Sequence, residues 1–392
     1  MIESNQSAEQ PGRQHQSSSD EQTYRALLED VEGMFPVPEE AAEAYLDSLP
    51  TLAGQVDDAI LQRSDISDLI GSCAIDIITT NHRNHGKFMA TVFALDLPAL
   101  LVRVMPWAYR VYTIRGVSYE YFPAELSAWI RAIEDELDPA HARPLCRVYR
   151  WMMEHHDMMK QLSEARERVT PRESDWSEEL DALLSCLLQG DSRTAQQMAE
   201  ETTREAGDLP DFYVKRIQPV MYRVGSLWAE GEVTISQEHM VTAMVGRIIA
   251  STYQRFDVFH PSRGSALVSC ATDEFHELGA RTVADVLELD GWDTTFIGAS
   301  VPEHDFHQTV IDQQPEIVAL SATVPSHLLR LQRMVNRIRE ESCLDHTRIM
   351  AGGLAFSMAP EAKERLPVDG CAHDAQGASK LAKDWWEEGA WN

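Results

Sequence analysis

The sequence predicts a multidomain chain of the α + α/β kind: an N-terminal helical domain, a four-helix bundle, and a C-terminal doubly wound parallel sheet of Rossmann-like form. Three observations lead there. At 392 residues the chain is longer than one ordinary hydrophobic core serves, so two or three domains are expected. Up to residue 258 apolar side chains recur at helical spacing. Beyond residue 262 short apolar runs alternate with helical stretches, the pattern of βαβ units and a parallel sheet.

Taken in order, residues 1–22 are rich in Ser, Gln and Glu and nearly free of large apolar side chains. Such a stretch buries too little surface to offset its ordering entropy, and it reads as a disordered tail. It has no apolar signal core. Nowhere does the chain approach the roughly eighteen consecutive apolar residues of a membrane helix, so a cytoplasmic protein with no membrane partner is expected. Residues 23–165 form the helical domain. Within it "ALDLPALLVRVMPWAYRVYTIRG" reads as a helix, and "EYFPAELSAWIRAIEDEL" as another with Pro123 near its first turn. The charged, Pro171-containing stretch 163–180 marks a boundary.

Residues 174–260 hold four helical segments joined by short loops, enough for a bundle, with Asp191 or Ser192 as one N-cap. Residues 262–390 carry the strands "SALVSC", "TTFIG", "EIVALSA" and "RIMAGG". Between and after them lie "GARTVADVLELDG", "EHDFHQTVIDQQ", "SHLLRLQRMVNRIREE" and "GASKLAKDWWEEG" as helices. In such sheets ligands bind beyond the carboxyl ends of the strands, so the loops after the strands are the place to search.

Charge and cysteine usage narrow the classes of function. A formal charge of -29 repels phosphate backbones, which excludes direct nucleic-acid binding as the expected role. The six cysteines (73, 146, 186, 270, 343, 371) stand singly, with no Cys-x-x-Cys pair, and fit reduced thiols rather than disulfides or zinc knuckles. No Ser-His-Asp arrangement, phosphate loop or second metal cluster is evident, and the protein is not expected to be an enzyme.

The loop after the first strand reads "CATDEFHELG" and contains His276. A carboxylate on the second nitrogen of a ligating imidazole fixes its tautomer and raises its basicity, and Asp273 and Glu274 are both available for that role. With "EFHELG" (274–279), "LSAT" (320–323) and "AGG" (351–353) in that order, the chain resembles the cobalamin-binding domain of methionine synthase, corrinoid proteins and B12-dependent photoreceptors. That family carries acid-x-His-x-x-Gly after its first strand. The resemblance covers about residues 176–390. It implies that His276 is the lower axial cobalt ligand, within a loop of Asp273, Glu274, Phe275 and Gly279. The displaced nucleotide tail would then run into a cleft lined by Ser321, Thr323, Gly352 and Gly353. Glycines admit close backbone approach and a hydroxyl can donate to a ring nitrogen, in keeping with those roles.

Ahead of the sheet, "WAEGEVTISQEH" places nine residues between Trp228 and Glu238-His239. This resembles the Trp-x9-Glu-His pattern of the CarH-like light-sensing branch, where these residues contact the 5'-deoxyadenosyl group. The resemblance implies adenosylcobalamin, with the indole covering its upper face. Two departures stand out. Ala229 occupies the place of the histidine that takes the upper cobalt position in that branch, with His239 a substitute candidate, and the basic DNA-binding domain is replaced by an acidic helical one. An extra helical domain ahead of such a module resembles the photocobilins, which implies biliverdin as a second chromophore. Its neighbourhood would be His82, His85, Arg103, Trp107, Tyr109, Arg110 and Tyr112, with Cys73 as a thioether site. Aromatics and guanidinium groups suit a flat ligand bearing carboxylates, and they suit a domain core or interface equally.

The expected function is therefore a light sensor whose Co-C photolysis drives a conformational or oligomeric change, working as a homo-oligomer and passing its signal to a separate output protein. A corrinoid methyl carrier is the alternative, and a degenerate module acting through protein contacts is a third reading.

Overall fold

The computed structural model describes residues 11–34, 36–165, 176–257, 260–389 and 391. The chain divides into two compact units, Met1–Gly86 with Pro98–Glu167, and Lys87–Leu97 with Arg168–Asn392.

The first unit is helical. It contains α1 (Pro11–Glu32), α2 (Glu39–Leu61), α3 (Ile66–Ile70), the first turns of α4 (Ile75–Ala94), α5 (Ala99–Ile114), α6 (Tyr121–Glu136), α7 (Pro139–Glu154) and α8 (His156–Glu164). On α6 the buried positions Phe122, Leu126, Trp129 and Ile133 recur every three or four residues, which gives the helix one inward face. That face packs with α2 and α7, where Tyr45, Leu52, Val56, Leu145 and Tyr149 are also fully buried.

Two expectations are corrected here. Of the tail expected over 1–22, residues 1–10 lie outside the described residues, but 11–22 are helical. Leu27 and Val31 anchor α1 by burial, and adding residues to an anchored helix is far easier than nucleating one, even for a Ser/Gln-rich stretch. The run from Ala94 is not one helix. α4 stops at Ala94, Asp96 takes a left-handed φ of 50°, and Pro98 precedes the start of α5.

The second unit joins the bundle and the sheet. Its bundle comprises α9 (Glu178–Leu188), α10 (Ser192–Thr202), a continuous helical rod and α13 (Ile235–Tyr253). The Asp191 carboxylate caps α10 by accepting from the Thr194 amide at 3.1 Å. The rod runs through α11 (Leu209–Phe212), a π-helical segment (Tyr213–Ile217) and α12 (Gln218–Ala229). Pro219 accounts for the wide turn: its ring crowds the carbonyl of Lys215 and offers that carbonyl no N–H.

The sheet contains β1 (Ser265–Cys270), β2 (Asp293–Gly298), β3 (Ile317–Ser321), β4 (Arg348–Gly352) and β5 (Gly370–Ala372), all parallel in the order 2-1-3-4-5. Its helices are α14 (Leu278–Leu289), α15 (Glu303–Gln313), α16 (Leu328–Arg339), α17 (Leu354–Met358), α18 (Ala362–Arg365) and α19 (Ala375–Glu387). The central strands β1, β3 and β4 are apolar throughout their middles, as a sheet covered on both faces requires. The chain reverses direction between β1 and β3, and this is the switch point at which such folds bind ligands. Among the described residues no helix is long and apolar enough to cross a membrane.

Candidate functional site

The loop from β1 to α14 is built around a single carboxylate. Asp273 adopts a left-handed φ of 66°, which turns the chain so that Glu274 points inward and is fully buried. One Glu274 oxygen accepts from His276 twice, from Nδ1 at 2.5 Å and from the backbone amide at 3.0 Å. The other lies 2.7 Å from the Thr323 amide, 3.2 Å from the Val324 amide and 3.0 Å from Nδ1 of His327. Burial alone would raise the Glu274 pKa, but these hydrogen bonds outweigh it and hold the carboxyl well below the usual carboxylate range. The bond to Glu274 in turn raises the His276 pKa against the opposing effect of burial.

Glu274 thus locks the His276 ring by Nδ1 and ties the loop after β1 to the loop after β3 across the switch point. The His276 side chain is 60% exposed, and its Nε2 makes no hydrogen bond among the described residues. Phe275 beside it is 74% exposed. Of the two acids available from sequence, Asp273 turns to Arg330 instead, at 2.9 Å. His327 was not foreseen. Its signal in the sequence is one more histidine six residues after Ser321 in a loop at the same sheet edge.

The three motifs end side by side, because Cys270 pairs with Ser321 and Ser321 with Gly352. Ser321 and Thr323 are half-buried at that edge. The glycines are required by the fold itself. A Cβ on Gly352 would strike the Ala372 carbonyl oxygen, and one on Gly353, whose φ is 99°, would strike that of Ala322. Gly279 has open space around its Cβ position, so no steric demand of the fold explains it.

Trp228 lies in the last turn of α12 and is half-buried, while Glu238 and His239 lie in the first turn of α13. A capping box of Thr234 and Gln237 fixes that helix start. Glu238 is oriented by two bonds, accepting from the Thr242 hydroxyl at 2.8 Å and pairing with Nδ1 of His239 at 2.7 Å. The negative charge of Glu238 also contributes to raising the His276 pKa. Ala229 is buried, and Ile235 at the head of α13 is 54% exposed.

In the helical unit the predicted neighbourhood divides. His82 is saturated, with Asp57 on Nδ1 at 2.6 Å and Tyr121 on Nε2 at 2.8 Å. Tyr109 is engaged as well, hydrogen-bonded to His156 at 3.0 Å and stacked on Phe122. Arg110 donates to the Ala165 carbonyl at 3.3 Å. Arg103, Trp107 and Tyr112 are half-buried on α5. Cys73 is buried, and burial raises its thiol pKa, which disfavours a reactive thiolate. Of the predicted residues, His85 is left with an unsatisfied polar atom, as are two residues of α6. Nε2 of His85, Oε1 of Glu125 and Nε1 of Trp129 are buried and without a hydrogen-bond partner among the described residues. Burial lowers the His85 pKa and favours its neutral form. Glu125 and Trp129 were not foreseen, since a carboxylate among helix-core residues gives no periodic signal.

Two family models match the second unit: residues 264–381 match one described as B12 binding domain, and residues 179–251 match a second with the same description. Over 221 residues the chain is 25% identical to the HTH-type transcriptional repressor CarH of Myxococcus xanthus, covering 56% of this chain and 69% of that protein. It is 22% identical over 168 residues to the trimethylamine corrinoid protein of Methanosarcina barkeri, covering 42% of this chain and 76% of that one. Among solved structures, the monomethylamine corrinoid protein of Methanosarcina barkeri superposes with a TM-score of 0.47 at 20% identity, over 53% of this chain and 98% of that chain.

Proposed function

We propose, from the premise that the bundle and sheet of this chain belong to the B12-binding domain family, that the protein is a light sensor holding adenosylcobalamin between His276 and the Trp228 cap. The residues fit such a group. An imidazole locked at Nδ1 with Nε2 turned to solvent is what an axial ligand requires, and the exposed Phe275 and Ile235 supply apolar surface for a bulky ligand to cover. When bound, adenosylcobalamin would supply a cobalt centre that an imidazole can ligate and a light-sensitive cobalt–carbon bond.

The chain's own residues do the rest. His276 would hold the group through Nε2, with Glu274 keeping its tautomer fixed while His327 shares the same carboxylate. Ser321 and Thr323 offer hydroxyls to the nucleotide tail. Trp228 would cover the adenosyl group, Glu238 would accept from its ribose hydroxyls, and His239 would be the imidazole available in place of the one absent at Ala229. Loss of the ligand would remove a surface that Trp228 covers and would let the bundle rearrange, a two-state element biased by the ligand. That rearrangement changes assembly between copies or contact with a separate output protein, so the role is signalling rather than catalysis.

What supports this reading over methyl transfer is the Trp-x9-Glu-His spacing, which sets Trp228 in the last turn of α12 and Glu238, oriented by Thr242 and His239, at the start of α13. The methyl-carrier reading draws on the corrinoid-protein relatives, among them a corrinoid protein of Desulfitobacterium hafniense of which the match covers 95%. Illuminating the loaded full chain with green light separates the two. A light sensor shows an irreversible spectral change and a shift in hydrodynamic size, both diminished in Trp228→Ala. Preference for methylcobalamin, with photolability no greater than that of free cofactor, identifies a carrier.

Biliverdin in the helical unit is the second part of the proposal, supported by the unpartnered polar atoms of His85, Glu125 and Trp129 among aromatic walls. A far-red band that forms with added biliverdin in wild type and is lost in Glu125→Leu is the expected result.

A further inference from the structure

The rod that carries Trp228 is fastened to the sheet domain at one end. At that end Tyr213 donates its hydroxyl to Asp285 of α14 at 2.8 Å, and Gln376 of α19 donates to Asp211 of α11 at 2.7 Å. Packing reinforces the two polar ties, since α11 contacts α14 and the Tyr213–Ile217 segment contacts α19, within a core that Val220, Val224 and Leu227 of α12 also share. α12, which follows, packs on α9 and α13 inside the bundle. The fastened stub ends in the π-helical segment Tyr213–Ile217, and Pro219 follows, after Gln218, in the first turn of α12. A π turn held open by a proline is a place where a helix changes direction at small cost, because its hydrogen-bond ladder is already interrupted. Asp285 also lies on the helix that begins two residues after His276.

We propose that the Tyr213–Asp285 contact is the fixed pivot of the cap: α11 and the π-helical segment stay docked on the sheet domain while α12, carrying Trp228, swings about the join at Gln218 and Pro219. Tyr213 and Asp285 are positioning residues that act through Trp228 and do not touch the cofactor. The swing rests on the cobalamin-sensor reading, whereas the docking of the stub does not. The pivot gives the cap a defined arc, so that departure of the upper ligand becomes a directed movement of one rod rather than loosening of the whole bundle.

Hydrogen exchange on the full-length chain tests this, comparing peptides over residues 209–216 with peptides over 218–229. The samples are apo protein, protein loaded with adenosylcobalamin in the dark, and loaded protein after green light. In wild type, protection over 209–216 is expected to stay constant in all three, while protection over 218–229 falls about tenfold after light. In Asp285→Ala, protection over 209–216 falls about tenfold even in apo protein, and Asp285→Asn, which still accepts from Tyr213, restores it. Pro219→Ala, which returns an N–H to the rod, is expected to reduce the light response over 218–229 without altering the stub. Joint loss of protection over both segments in wild type overturns the pivot, because the cap then moves as one body. Unchanged stub protection in apo Asp285→Ala overturns it as well. A chain that takes up no adenosylcobalamin, yet loses stub protection in apo Asp285→Ala, contradicts the sensor reading and retains the docking.

Discussion

Glu274 does three things with two oxygens: it fixes the His276 ring, caps two amides of the loop after β3, and holds His327. Replacing it with Gln removes the charge that all three use. Glu274→Gln is expected to weaken adenosylcobalamin affinity by roughly 10- to 100-fold, read by equilibrium titration, because an outer partner of a metal ligand contributes on that scale. Asp273→Asn, which perturbs only the surface pair with Arg330, is expected to leave affinity within about twofold. The sequence offers both acids equally. Only the φ of 66° at Asp273, which turns one inward and the other outward, separates them. Gly353→Ala introduces a Cβ against the Ala322 carbonyl at a left-handed φ and is expected to destabilise the second unit by at least about 2 kcal/mol, seen as a lower midpoint in chemical denaturation.

At the scale of elements, β1 is legible to the residue and the start of α10 to within one residue of its Asp191 cap, because apolar runs and capping side chains are local signals. What was not legible was nonlocal. β5 is three residues long and pairs only with β4, and the π turn in the Trp228 rod shows in sequence only as Pro219. The pivot it forms should depend on pH. Burial pushes the Asp285 pKa up to about 6, opposed by the Tyr213 hydroxyl and by Arg281, and aided by Glu288 on the same helix. From α13, Tyr253 adds a hydroxyl beside Glu288. With the docked pKa above that of an exposed aspartate, docking is strongest below about pH 4 and weakens as pH rises through about 6. Protection over 209–216 in wild type is therefore expected to fall between pH 4 and 7, and to stay level across that range in Asp285→Asn.

At the scale of the molecule, the second unit was readable because its three motifs occur in order and the fold brings them to one sheet edge, with Cys270, Ser321 and Gly352 in register. The first unit was far less readable. His82 and Tyr109 are composition-rich but already satisfied, whereas the unpartnered Glu125 and Trp129 hide inside an ordinary amphipathic helix. Whether this protein is a cobalamin sensor therefore turns first on His276. The measurement that tests it most directly is the dark absorption spectrum of the full chain with adenosylcobalamin, wild type against His276→Ala. Wild type is expected to show a base-off, histidine-ligated spectrum that is lost or replaced by the base-on form in the variant. Identical spectra and equal affinity in the two proteins would contradict the sensor reading.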